Sequence, residues 1–392
     1  MIMRPTVILT ALLTTIAIGG LACRRSEPPP KIEFVPGQFV SAKKCGACHK
    51  DIYRAWRQSL HAAATEDPIF KQSYEDALEL THGQAKRLCL TCHAPTAIVT
   101  GDYDLTQPVT REGINCDFCH SLKGTDFSQP QSPFVLDVGA TKYGPVPDAV
   151  STGHQVAYSP FHTTALHCAG CHQYRNPHGV ELLSTYAEWE QYTERGGTKT
   201  CQQCHMPQVL ANIVDPKVKR VEGAFVNLHL MPGGHSRDQL VKSLRLRIME
   251  VTRTPKGLRV KVTVKNVGAG HMVPTGSPTR KVILNLDVST GSGRRFHADR
   301  LYQRIVLDER GRPIRKDSRM FTEARRIERD TRLAPGEERV EEFFLPVPIN
   351  ENATVTATLT YFYSPHDRPE TETRIDFVSE TKQLLARWER QP

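Results

Sequence analysis

Residues 161–207 read FHTTALHCAGCHQYRNPHGVELLSTYAEWEQYTERGGTKTCQQCHMP. The stretch carries Cys-x-x-Cys-His twice, at Cys168/Cys171/His172 and Cys201/Cys204/His205. Working outward, the pattern recurs at Cys45/Cys48/His49, Cys89/Cys92/His93 and Cys116/Cys119/His120. With 11 Cys and 16 His in 392 residues, chance supplies about 0.01 copies of a pattern that even singly marks covalent attachment of heme c. The two thiols suit thioether bonds to porphyrin vinyl groups, and the next His reaches iron from one face. Zinc also takes Cys-x-x-Cys pairs, but it does not require a His after the second Cys of every pair. The reading is therefore five covalently attached heme c groups, one per motif.

Heme also accounts for the composition. Only 39% of the residues are hydrophobic, low for a chain of this length. Porphyrin plates would replace many aliphatic side chains, so the heme region should fold poorly without them. The formal charge of +9 would ordinarily point to nucleic acid or membrane. Bound groups must be counted first, and five hemes add roughly −5 when oxidised and −10 when reduced. The loaded protein is then near neutral, and no nucleic-acid partner is expected.

The chain opens MIMRPTVILTALLTTIAIGGLAC. Arg4 and the apolar run Val7–Ile18 form an export signal, too short for a comfortable membrane span. Cys23, the one cysteine outside the motifs, follows small residues and reads as a lipidated N-terminus, although Gly20 stands where Leu is usual. Ordinary signal cleavage is the alternative. Residues 1–23 are thus a signal peptide and the Pro-rich segment 24–40 a tether. Residues 41–240 are the pentaheme cytochrome c domain, helical or irregular. Within it KDIYRAWRQSLHAAA reads as a helix. Pro68 begins another, capped by Asp67. GVELLSTYAEWEQYTER is a third, stopped by Gly196-Gly197. From residue 241 to 380 the texture changes to β-branched segments of period two, expected as an all-β, immunoglobulin-like sandwich. Residues 308–330 are charged enough for a long surface loop or hairpin. Residues 381–392 are a C-terminal tail, with a short polar helix near Thr381–Arg390.

Each iron has a second face. A His there closes the iron for electron transfer, and an open face can bind substrate. His61 leads the candidates. A helix through it would place it about 18 Å beyond His49, so it would serve a neighbouring heme. His162, His229, His271, His235 and His154 follow, and His82 is weaker. His271 would staple the β domain to the hemes. Met206, Met231 and Met272 are weaker thioether candidates.

Six phrases, YRAWRQSLHAAA, EGINCDFCH, SPFHTTALHCAGCH, TYAEWEQYTERGGTKTCQQCHMP, HLMPGGHS and GAGHMVPTGSPTR, carry a resemblance to a family of multiheme c-type cytochromes. Its type member is the tetraheme electron-transfer partner of hydroxylamine oxidoreductase. The resemblance covers about residues 41–280. It implies closely paired, mostly bis-His hemes that carry electrons, with His61, His162, His229 and His271 in distal positions. The fifth motif and the C-terminal β domain depart from the type member. The expectation is an exported electron carrier, a lipoprotein on the periplasmic or outer face of a bacterial membrane, exchanging electrons with redox partner proteins. The rival is an oxidoreductase acting on a small nitrogen or sulfur compound at one open heme. A third possibility is a docking subunit working through the β domain.

Overall fold

A computed structural model describes residues 32–129, 132–218 and 224–386. The expected signal peptide, residues 1–23 with Cys23, lies outside the described residues.

The N-terminal half is a string of short helices, and the attachment motifs sit on them. The helices are Ala42–Gly46, Ala85–His93, Cys116–Cys119, Leu166–His172 and Cys201–His205. One helical turn brings positions i, i+3 and i+4 to a common face, which is the spacing of the two Cys and the His. Local caps start several of these turns. Asn115 Oδ1 accepts from Phe118 N at 2.9 Å. Thr200 and Gln203 form a reciprocal capping box. Asp67 caps the helix Pro68–Leu80, accepting from Phe70 N at 3.0 Å, as its sequence predicts.

Several expected helices are shorter. The one after the first motif is Lys50–Trp56 and stops before His61. Trp56 is buried there and donates from Nε1 to Ile114 O at 2.9 Å. His61 lies in the turns that follow, its carbonyl accepting from Ile114 N at 3.0 Å. Gly113, at φ 66°, makes room for that carbonyl, which a Cβ would strike. The expected helix from Gly179 begins only at Thr185 and ends at Glu194. Glu181–Leu183 instead pairs with Tyr174–Arg175. Residues 121–160 are not all loop. Leu122–Thr125 pairs with Phe134–Leu136, and Thr141–Gly144 runs parallel to Gln155–Tyr158.

From Leu244 the chain is mainly β. Its strands are β1 (Leu244–Thr254), β2 (Gly257–Asn266), β3 (Arg280–Thr290) and β4 (Arg295–Leu307). They continue as β5 (Arg326–Asp330), β6 (Glu338–Leu345), β7 (Ala353–Tyr363) and β8 (Thr373–Leu384). One antiparallel sheet has the order β6-β2-β1 and the other β5-β4-β3-β7-β8. Alternate residues of both point into one shared core, with Val260, Val262 and Val264 from β2 meeting Leu284, Leu286, Val355 and Leu359.

Two further expectations are corrected. Thr381–Leu384 continues β8, paired with residues 353–356 of β7, so the first residues of the tail lie in the sheet in place of the expected helix, and residues 387–392 lie outside the described residues. Alternating exposure along β8 gives that segment a strand's period. Residues 308–330 contain the helix Asp317–Glu323 as well as β5. Ile314 and Met320 are buried against Val180 and Leu182 of the heme region, so this is an inter-region joint as well as a surface loop.

Candidate heme sites

Among the described residues, the motif histidines stand opposite other histidines in four places. His49 faces His154 with ring centroids 6.1 Å apart, His172 faces His61 at 6.3 Å, and His205 faces His271 at 6.3 Å. His120 faces His229 at 6.4 Å. An iron–imidazole bond of about 2 Å, as for other first-row metals, places two rings on one iron with centroids about 6 Å apart. The donor arrangement therefore fits a heme iron between each pair. No group of three or more His, Cys, Asp or Glu side chains converges to hold a bare metal ion among the described residues. Facing pairs without a third donor suit an iron already ringed by porphyrin nitrogens more than tetrahedral zinc.

The outer ring nitrogens are engaged, which fixes the orientation and tautomer of a ligand imidazole. Nδ1 meets a backbone carbonyl in His49 (Ile213, 2.6 Å), His93 (Ala64, 3.1 Å), His120 (Tyr143, 2.7 Å) and His205 (Pro232, 2.7 Å). The facing rings repeat the pattern, His154 with Gln155 O at 2.9 Å, His229 with Asn227 O at 2.6 Å and His271 with Met272 O at 2.8 Å. His61 Nδ1 meets Met231 Sδ at 2.9 Å, so this methionine backs a ring. Such bonds place the proton on Nδ1 and leave Nε2 for iron. Burial lowers the His61 and His229 pKa values to about 4 and that of His172 to about 3. These rings are neutral at pH 7, the form that binds metal.

Two of the sequence candidates sit differently. His162 is 5.8 Å from His120, but its Nε2 is bonded to Cys119 O at 3.1 Å. Its ring also packs on His167 at 4.5 Å. His229, not His162, repeats the geometry of the other pairs. His235 has no histidine opposite it and packs on Tyr361 and Tyr363 of β7. The motif histidine left over is His93. Phe70 stacks on its ring at 3.9 Å, and no histidine ring faces it among the described residues.

The cysteines show which attachment sites adjoin. The Cys45 thiol lies near that of Cys116, Cys92 near Cys171, and Cys168 near Cys201, the two thiols of each pair close enough to perturb each other's pKa. Cys119 lies close enough to Cys168 and Cys171 to raise their thiol pKa values. The first motif thus meets the third, the third approaches the fourth, and the fourth touches both the second and the fifth. Spatial order differs from chain order.

The sequence assigns all ten motif cysteines to heme attachment, and the structure places them in different surroundings. Cys48, Cys89 and Cys204 join no thiol of another motif among the described residues. Cys204 is placed through its backbone instead, its carbonyl accepting from Gln239 Nε2 at 3.2 Å. In the fifth motif, therefore, Cys201 makes the contact with a neighbouring site and Cys204 faces none. All ten are half-buried and free of disulfides, so Cys204 still fits thioether attachment, to a single heme at the end of the motif chain.

One feature has no signal in the sequence motifs. Glu188, in the helix Thr185–Glu194, is buried. It accepts from Arg332 Nη1 at 2.7 Å, Ser184 Oγ at 2.7 Å, Thr275 Oγ1 at 2.7 Å and Met272 N at 3.1 Å. Arg332 and Arg304 also pair with Asp330, at 2.8 and 3.0 Å. Glu188 therefore ties the loop carrying His271 to the heme region. An acidic residue in an aromatic-rich helix was the available hint.

Comparison with known proteins bears on these motifs. Residues 44–121 match the family "Cytochrome c554 and c-prime", a span that includes the first three motifs. Cytochrome c-554 of Nitrosomonas europaea is 28% identical over 88 residues. That alignment takes 21% of this chain and 37% of the relative, so the chain matches little more than a third of the relative's length. The crystal structure of a penta-heme cytochrome c552 from Thermochromatium tepidum superposes with a TM-score of 0.72. It is 24% identical, and the alignment covers 89% of this chain and all of that one, a likeness of fold. The family match takes in the first three attachment motifs and the likeness of fold runs over most of the chain, and together they support a multiheme c-type cytochrome family.

Proposed function

We propose that this protein is an exported pentaheme electron carrier with four bis-His hemes, relaying single electrons to and from redox partner proteins. The observation that carries the reading is the set of four facing imidazole pairs at 6.1–6.4 Å. Heme c supplies one-electron iron chemistry, and two imidazoles close both faces against substrate. The chain's own residues hold ring orientation through the Nδ1 bonds, set spacing through the touching motifs, and keep the ligands neutral by burial. Cys23 would anchor the protein to the outer side of a bacterial membrane, with residues 24–40 as tether. The β region fits an immunoglobulin-like sandwich, because β1, β2 and β6 form one sheet and β3, β7 and β8 the other, extended by β4 and β5.

The test compares two histidines. His229→Ala should give one additional high-spin heme by EPR, while His162→Ala should leave the spin-state count unchanged. The reverse result would reassign the third motif's partner and undo the pairing argument.

The lone His93 favours a second reading, with one iron open to a small nitrogen or sulfur compound. Carbon monoxide added to dithionite-reduced protein should then bind at about one equivalent per chain, rising to about two in His229→Ala. No binding would leave a closed wire, and several equivalents would contradict the four pairs.

A further inference from the structure

Behind the heme region, the loop at Gly234 packs on β7 and the start of β3 and leaves three polar atoms without hydrogen-bond partners among the described residues. Arg280 Nη1 donates to Thr275 O at 3.2 Å, but its Nε has no partner. The guanidinium lies deep in the fold although the residue keeps some accessible surface. It forms no ion pair within 4.0 Å among the described residues. Tyr361 is buried, and its hydroxyl has no partner either. Neither has His235 Nε2, on a ring 5.6 Å from that of Tyr361. The groups converge, since a methyl placed on Gly234 would lie 3.6 Å from the Tyr361 hydroxyl and 3.7 Å from Arg280 Nη1.

The nearby carboxylate does not answer them. Asp317 is already bonded by Ser277 at 2.5 Å, Thr279 at 2.6 Å and Tyr363 at 2.6 Å. A buried guanidinium without a counter-ion is costly, and three unmet donors are more than a native interior usually tolerates. We infer that Arg280, Tyr361 and His235 form a cradle for an anion that the polypeptide does not provide, a carboxylate or small oxyanion. Two sources have that chemistry. One is a propionate of the heme held by Cys168, Cys171 and His172, because Arg280 lies within electrostatic range of His172. The other is a free oxyanion from solution. With the propionate as the anion, the cation offsets its charge and favours the reduced state of that heme. The inference rests on the heme assignment above.

Heme content is counted first in each preparation, by alkaline pyridine spectroscopy. Redox potentiometry then compares the wild type with Arg280→Gln, Arg280→Lys and Tyr361→Phe. If the anion is the propionate, Arg280→Gln should shift one heme's redox equilibrium about tenfold toward the oxidised form, about 59 mV for one electron. Arg280→Lys should recover most of the shift. Tyr361→Phe removes only an unpartnered hydroxyl, so it should fold normally and still move the same heme. Calorimetry with sodium sulfate separates the sources. Binding of one sulfate that weakens at least tenfold in Arg280→Gln marks a free oxyanion, and no binding marks the propionate. Fewer than five hemes in the wild type would overturn the assignment on which the cradle rests. Five hemes with unchanged potentials in Arg280→Gln and Tyr361→Phe, and no sulfate binding, would overturn the cradle alone.

Discussion

Protein made without heme attachment should lose the structure of residues 41–243 while residues 244–385 stay folded. The two halves differ in what fills them. The β region has a continuous aliphatic core in which Val260, Val262, Leu284, Leu286, Val355 and Leu359 are wholly buried. Each such side chain contributes about 1.5–3 kcal/mol. In the heme region the comparable cluster is Phe39, Phe118 and Leu122 with a few half-buried neighbours. Ordering the backbone costs about 1–2 kcal/mol per residue, which so small a cluster cannot offset across roughly 200 residues. Thioether-linked porphyrin must supply the missing apolar contact. Limited proteolysis of heme-free protein, read by mass spectrometry, should give a protected fragment beginning near Leu244. Uniform protection of both halves would show that the polypeptide alone carries the N-terminal fold.

The motifs and the β strands are legible in the sequence because each is a local pattern. A Cys-x-x-Cys-His run needs only one helical turn, and period-two strands such as β2 and β7 announce their buried face directly. The partners of the irons are legible only as a pool of histidines. His154 looks no better than His162 by its neighbours. What brings it to His49 is the parallel pairing of Thr141–Gly144 with Gln155–Tyr158, a contact that no local signal encodes. His162 has an inviting position before a motif, yet the carbonyl of Cys119 takes its Nε2. The length of the helix before His61 is hidden for a similar reason. Helix-forming residues continue past Trp56, but the long-range bonds of Trp56 and His61 to Ile114 end the helix there. The tail misleads in the opposite sense, since its polar residues look helical until β7 offers them a ladder.

Glu188→Ala should have the largest effect of any single change outside the heme ligands. It would remove the more buried of the two carboxylates shared by Arg332, which is 6% exposed, and Arg304, which is 9% exposed, and leave them Asp330. Breaking a buried pair from one side costs about 3–5 kcal/mol, because the remaining charge stays desolvated. The same change frees Met272 N and Thr275 Oγ1, two of the tethers of the loop that brings His271 to His205. Chemical denaturation at pH 7 should show the loss of stability, and EPR should show a new high-spin heme as His271 becomes mobile. Glu188→Gln keeps acceptors for the loop but removes the charge, so it should lose stability while retaining most of the low-spin signal. The wild type should report the same network through acid. Burial would raise the Glu188 and Asp330 pKa values, but it is outweighed at Glu188 by Arg332 together with the Ser184 and Thr275 hydroxyls and at Asp330 by Arg332 together with Arg304, leaving Glu188 below the usual range and Asp330 at about 2. A carboxylate with a depressed pKa stabilises the fold fully above its unfolded pKa of about 4 and loses that stabilisation as pH falls through the folded value. The acid loss should therefore fall between about pH 4 and 2, and its Glu188 part should vanish in Glu188→Gln. Unchanged stability and spin state in Glu188→Ala would mean that the β region is held to the hemes by other contacts, and that the His271 loop keeps its place without the carboxylate.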